Sequence, residues 1–301
     1  MMVPIWFFGV VEDRFDPLQL GRCRVRCVGF HTDNKQILPT QDLPWAYPIS
    51  PITSASISGK GDTPTGPVEG TWVVGFFRDG DDCQEPVMLG TVGGMPSDKA
   101  DPRKGFNDPR GVYPTTPGEQ DTNKLARGQA KGTVVEKKKA SLDSSAIPGG
   151  MGFGAKQEPP TPFAAKYPFN KVHESEAGHI IEVDNTPGAE RLHNYHKSGT
   201  FDEVHPDGTK VEKIVGKHYT IVAGEDNVHI KGACNVSLDS GCNVFVRGST
   251  NFKCIGSVKY QVIGGCFEVS SLTTIKLTSG ASSLILNPGA CIIRAPVVLI
   301  N

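Results

Sequence analysis

Through the second half of the chain, apolar and polar residues alternate in units of eight. Cut at the eighth residue, the tail reads EDNVHIKG, ACNVSLDS, GCNVFVRG, STNFKCIG and SVKYQVIG. The fourth slot of each unit holds Val228, Val236, Val244, Phe252 or Tyr260. The sixth holds Ile214, Val222, Ile230, Leu238, Val246, Cys254 or Val262. Alternation with a period of two predicts a strand with one buried face, and β-branched residues suit such a surface. Gly208, Gly216, Gly224, Gly232, Gly248, Gly256, Gly264 and Gly280 close units on one register. That register is missed at Ser240 and Leu272 and passes to Pro288 and Pro296 near the end. Glycine allows a corner at positive φ, so each unit is predicted to be a strand of about six residues and a tight turn. A short fixed period marks a repeat architecture.

One octad of one chain buries little and leaves both strand edges unpaired. Three copies winding about a common axis remove both difficulties. Strands pair between chains, and alternate side chains fill a narrow shared interior. At one strand spacing per octad, the run predicts an intertwined trimeric β-helix, a needle of roughly 50 Å. The stretch assigned to it is 171–301.

Residues 1–96 read differently. WFFGVVEDR, RCRVRCVGF, WAYPISPI, TWVVGFF and PVMLGTV are five short strand candidates, separated by DPLQLG, GPVEG and RDGDD turns. Five strands in under a hundred residues predict a small closed barrel of the oligonucleotide/oligosaccharide-binding (OB) type. In the second strand Arg22, Arg24 and Arg26 alternate with Cys23, Val25 and Cys27, which predicts one wet and one buried face. The arginines lack the interleaved aromatics of a nucleic-acid reader, so a protein-docking or solvated face is expected, without nucleic acid. Between these parts, 97–170 has nine glycines and nine prolines among its 74 residues, no apolar periodicity and a Lys137–Lys139 run. An extended linker with a solvated lysine patch is expected there. The fold class is all-β.

Composition narrows the chemistry. The chain has 301 residues, net charge −1, and no stretch apolar enough for a spanning helix; no secretory signal is evident. Its eight cysteines lack zinc spacing, and Cys23 and Cys27 lie about 13 Å apart along a strand, beyond disulfide reach. The histidines at 173, 179, 193, 196, 205, 218 and 229 form no H-E-x-x-H pattern, and no nucleophile elbow or phosphate loop occurs. No catalytic residue, metal or cofactor is expected.

The segment ESEAGHIIEVDNTPGAERLHNYHKSGTFDEVHPDGTKVEKIVGKHY resembles the neck of the central spike proteins of T-even phage baseplates. It also resembles the valine–glycine repeat spikes of type VI secretion. FFGVVEDRFDPLQLGRCRVRCVGFH, PWAYPISPITSA and GPVEGTWVVGFF are similar to the phage spikes' OB domain. The resemblance implies a homotrimeric, non-enzymatic spike at the centre of a virion's tail baseplate, assembled in the host cytoplasm. Its OB domains would dock on a separate ring-shaped hub protein, and its needle would pierce the host outer membrane. The phage relative carries a lysozyme domain where this chain has 97–170, so that activity is not carried over. A type VI spike, or an envelope-degrading or carbohydrate-binding spike, is the alternative. The final Val297, Val298, Leu299 and Ile300 either close the core or form an apolar docking tip. The resemblance implies a small cone-shaped cap protein there.

Overall fold

The fold is described from a computed structural model covering residues 4–142, 147–150 and 154–298. The chain divides into two compact units, Met1–Ser237 and Leu238–Asn301.

In the first unit, strands β1 (Ile5–Asp13), β2 (Cys23–Cys27), β3 (Trp45–Pro48), β4 (Trp72–Phe77) and β5 (Pro86–Thr91) close into a barrel. The order is β1-β2-β3-β5-β4, the OB type, with β3 and β5 parallel and the other pairs antiparallel. Closure leaves no open sheet edge. The interior is Phe7, Val11, Cys23, Val25, Cys27, Ala46, Val73, Phe77 and Met88. These are the inward positions of the alternation, and both strand cysteines are free and buried.

The outward face of β2 is not wet. Arg26 is fully buried and grips Glu12, Nε to Oε1 at 2.6 Å and Nη2 to Oε2 at 3.2 Å. Its remaining N–H groups donate to the carbonyls of Thr32 at 2.5 Å and Leu38 at 2.8 Å. Glu12 also accepts from Thr40 Oγ1 and the amide of Phe106. Arg22 is buried against Asp16 at 2.7 Å, and Arg24 stacks over Trp45 at 4.4 Å. The Arg22 side chain, then the amides of Leu18, Leu20 and Arg22, hold the Asp16 carboxyl far below the usual range. The expectation of a solvated stripe therefore fails. Alternation shows which residues leave the barrel interior, not whether other chain covers them. Here the loops after β2 and around Phe106 do, and a Cβ on Gly105 would lie 2.6 Å from Arg26 Cδ.

Strands β6 (Asn170–Glu174), β7 (Ile180–Asp184), β8 (Arg191–Tyr195), β9 (Phe201–Val204) and β10 (Lys210–Lys213) form a sequential antiparallel meander in the same unit. Tight turns drive it. At the β9–β10 turn Gly208 has φ 82°, and its amide donates to the His205 carbonyl. Helix α1 (Val134–Ala140), N-capped by Thr133, lies over one face, and Leu125, Val134, Val135, Ile180, Tyr195, Phe201 and Val211 form a second core. The stretch 97–170 thus has the sparse regular structure expected of a connection, but it is packed: Leu125, Val134, Val135 and Ala165 are buried. Isolated apolar residues docked one by one leave no periodicity to read.

In the second unit, β11 (Ile275–Ser279), β12 (Ser282–Asn287) and β13 (Ala290–Arg294) make a three-stranded antiparallel sheet. Thus 171–213 and 275–294, inside the stretch expected as an intertwined needle, pair within their own chain. Short turns bring each next strand back beside the last before a neighbouring chain is needed.

Removing Arg26 strands a buried carboxylate. Arg26→Met is expected to destabilise the barrel by about 3–5 kcal/mol, and Arg26→Met with Glu12→Leu to recover most of that. Denaturant unfolding of the full chain followed by tryptophan fluorescence checks this, because Trp6, Trp45 and Trp72 all lie on barrel strands.

Candidate docking faces and a buried polar core

Alternation along β7, β8 and β9 turns Glu182, Arg191, His193 and Glu203 toward α1, and all four are buried. Arg191 bridges both carboxylates, Nη2 to Glu182 at 2.7 Å and Nη1 to Glu203 at 2.6 Å. Lys138, from the lysine run expected to be solvated, is buried with Nζ 2.7 Å from Glu203 and over the Phe201 ring. One helical turn fixes its direction: of three consecutive lysines, only the middle one faces the sheet. Asn170 and Thr161 donate further bonds to Glu182 and Glu203.

The bonded set balances two cations against two anions if His193 is neutral. Burial lowers the His193 pKa, and the Glu182 hydrogen bond only partly opposes this. The neutral ring then donates Nδ1–H to Glu182 at 2.7 Å and turns Nε2 toward Lys138. Burial works against the Glu203 charge, yet Lys138, Thr161 and Arg191 hold its pKa down at about 2. Such a set, buried between α1 and the sheet, holds the two together. A cleft of about 660 Å³ lies elsewhere, lined by Trp72, Tyr113, Asp108 and Asp121 among others. Asp108 there accepts the amides of Arg110, Val112 and Tyr113, and Asp121 that of Gly94.

The barrel carries one uncovered apolar face. Trp6 and Phe8 leave β1 outward, Trp72 and Phe76 leave β4, and Leu89 leaves β5. Trp6 is 56% and Phe8 55% exposed. Pairing of Trp6 with Phe76 sets their rings edge-on at 5.6 Å. On the meander, Ile181, Val183 and Leu192 are exposed on the side away from α1.

The octad residues stand apart from both cores. Ile214 is half-buried, while Val222, Val228, Ile230, Val236, Leu238, Val244, Val246, Cys254 and Val262 are all exposed within their own chain, Val244 by 83%. Of the corner glycines, Gly208, Gly264 and Gly280 have positive φ; Gly216, Gly224, Gly232, Gly248 and Gly256 do not. At those five, the single chain places no demand that only glycine meets. Val297 and Val298 are exposed at the tip; Leu299 and Ile300 lie outside the described residues.

The polar core links acid to unfolding. The unfolded chain protonates His193 near pH 6.5 while the fold resists it, so stability falls as pH drops below about 6.5. The contribution of Glu203, complete above about 4.5, is lost as pH falls toward about 2. Protection of β7–β9 amides in the full chain is expected to decline from pH 6.5 to 3. His193→Asn is expected to flatten the upper part, by up to ~1.4 kcal/mol per pH unit. Hydrogen exchange at stepped pH measures both.

Comparison with known proteins follows this geometry. The chain is 43% identical over 258 residues to Protein Gp5 of Vibrio phage KVP40, which is 75% of this chain and 61% of that protein. It is 50% identical over 128 residues to the pre-baseplate central spike protein Gp5 of Enterobacteria phage T4, 41% of this chain and 22% of that protein. The chain therefore spans less than two thirds of the length of either relative. The model of the Gp5 N-terminal OB domain matches residues 29–187, which include three strands of the closed barrel and the start of the meander. The chain belongs to the Gp5 N-terminal OB domain family.

Proposed function

We propose that this chain is the central spike of a contractile phage tail, a homotrimer at the baseplate centre of the virion, assembled in the host cytoplasm. Residues 1–96 form its docking domain, 97–170 the connection, and 171–301 the piercing shaft. The names of the two phage relatives favour a phage tail over a secretion spike. The observation that carries the reading is the octad run: its alternating apolar residues are exposed in a single chain. Leaving such a side chain in water instead of burying it forgoes about 1.5–3 kcal/mol, so the run demands a partner. An eight-residue repeat of one chain meets its match in further copies of itself. Ile181, Val183 and Leu192 extend the uncovered apolar surface to the meander.

The work is mechanical and non-enzymatic. Three intertwined chains transmit sheath force as a stiff rod through the outer membrane, with strand pairing between chains resisting shear. The face of Trp6, Phe8, Trp72, Phe76 and Leu89 docks the ring-shaped hub protein, since uncovered aromatic clusters are characteristic docking anchors. Val297, Val298, Leu299 and Ile300 seat the cone-shaped cap.

Light scattering of the full chain is expected to give three times the chain mass, and electrophoresis in dodecyl sulfate without boiling a trimer band, because separating the copies means unfolding the shaft. A clean monomer refutes the reading. Phe8→Arg with Leu89→Arg is expected to leave the trimer intact and reduce hub capture at least about a hundredfold, the loss of two hot-spot contacts; unchanged capture in a pull-down removes this face from the interface.

A further inference from the structure

One transverse row of the meander carries more buried polar atoms than its hydrogen bonds satisfy. Asn170 on β6 pairs with Asp184 on β7, and Asp184 pairs with Arg191 on β8. Directly paired residues share a face. All three side chains are buried, at 5%, 2% and 2% exposure. Among the described residues, five buried side-chain atoms have no hydrogen-bond partner, and three of them belong to this row: Asn170 Oδ1, Asp184 Oδ2 and Arg191 Nε. A bare buried polar atom has lost its hydration with nothing in return, so three in one row call for a common explanation.

The bonds these residues do make hold them around one point. Glu182 Oε1 accepts from Asn170 Nδ2 at 3.0 Å and from Arg191 Nη2 at 2.7 Å. Asn170 Nδ2 also donates to the Leu125 carbonyl. With two acceptors on that side, the amide nitrogen belongs there and the oxygen is turned away from both. In a guanidinium the Nε–H lies parallel to one Nη2–H, so Arg191 Nε–H faces β7 as Nη2 does. Asp184 commits Oδ1 to the amide and hydroxyl of Thr186, at 2.9 and 2.6 Å, and keeps Oδ2 for the row. The row therefore offers one charged donor, one charged acceptor and one neutral acceptor.

We propose that this row is the binding site of one ordered water molecule, which accepts from Arg191 Nε–H and donates to Asp184 Oδ2 and Asn170 Oδ1. The chemistry of the three atoms selects it. A cation would face the Arg191 N–H, and an anion the Asp184 carboxylate. Water is neutral, both donates and accepts, and ordinarily makes about three bonds when buried. It also joins two hydrogen-bonded sets that otherwise stop short of each other. On one side Lys138 of α1 reaches Arg191 through Glu203. On the other, Asp184 holds Thr186, whose Oγ1 accepts from the amide of Lys166. Bridged, the two tie α1, strands β6 to β9 and the segment leading into β6 into one set. Every partner comes from one chain, so the site does not rest on the trimeric reading.

A density map of the full chain, sharp enough to show ordered water, tests the site directly. A peak within hydrogen-bond reach of all three atoms, roughly 2.7–3.2 Å, is expected. No peak there, with or without a direct Arg191–Asp184 bond, overturns the proposal. So does a peak ringed by six or more oxygen atoms at about 2.3–2.6 Å, which is a metal ion. Relaxation dispersion of water oxygen, which counts long-lived buried waters, gives a second measurement. Asp184→Asn is expected to keep the count, because its amide donates to the water while Asn170 still accepts. Asp184→Leu is expected to lose one water per chain. A count unchanged by leucine, or lowered by asparagine as much as by leucine, overturns the site. The map decides on the unaltered chain even where the leucine variant does not fold.

Discussion

A charge removed from water must be matched within hydrogen-bond reach, and the first unit is organised around two such matches. Glu12 and Arg26 lie on neighbouring barrel strands with their side chains outside the barrel, where solvent would suffice if nothing covered them. Instead Arg26 takes the carbonyls of Thr32 and Leu38, while Glu12 takes Thr40 and the amide of Phe106. Four distant points of irregular chain are thereby fixed by one ion pair. The register shift between Val11 and Asp13 sits at Glu12, a bulge that re-aims a side chain.

The second match repeats the device at the meander. Arg191 and Lys138 balance Glu182 and Glu203, and because Lys138 comes from α1 the charge balance fastens the helix to the sheet. Arg14 of the barrel end reaches Glu176 of the meander at 2.7 Å, and Tyr113 donates to the same carboxylate. A segment of low regular structure is in this way tied firmly to the barrel and the meander.

Charge is matched inside the first unit, while apolar surface is left uncovered in both units. The barrel's aromatic face, the octad run and the terminal sheet all present apolar surface with no cover in the same chain. The proposed burial by copies and partners gives all three one physical cause and ties the proposed work to stability: in the proposed shaft, fold and assembly are the same event.

Much of this was legible in the sequence. The five barrel strands, their turns and the octad rhythm follow from local alternation and turn residues, which act over a few positions and so leave a local signature. The inward Cys23, Val25 and Cys27 could be read in the same way. Tertiary structure alone decided the rest. Arg22, Arg26 and Lys138 are written as solvated positions by every local rule, and they are buried because segments far away in sequence close over them. The alternation Glu182 and Arg191–His193, next to apolar Ile180 and Tyr195, was the available signal for the polar core, but charge on an alternating face ordinarily means solvent. Whether a polar side chain meets water or an opposite charge depends on long-range packing, which no local pattern encodes.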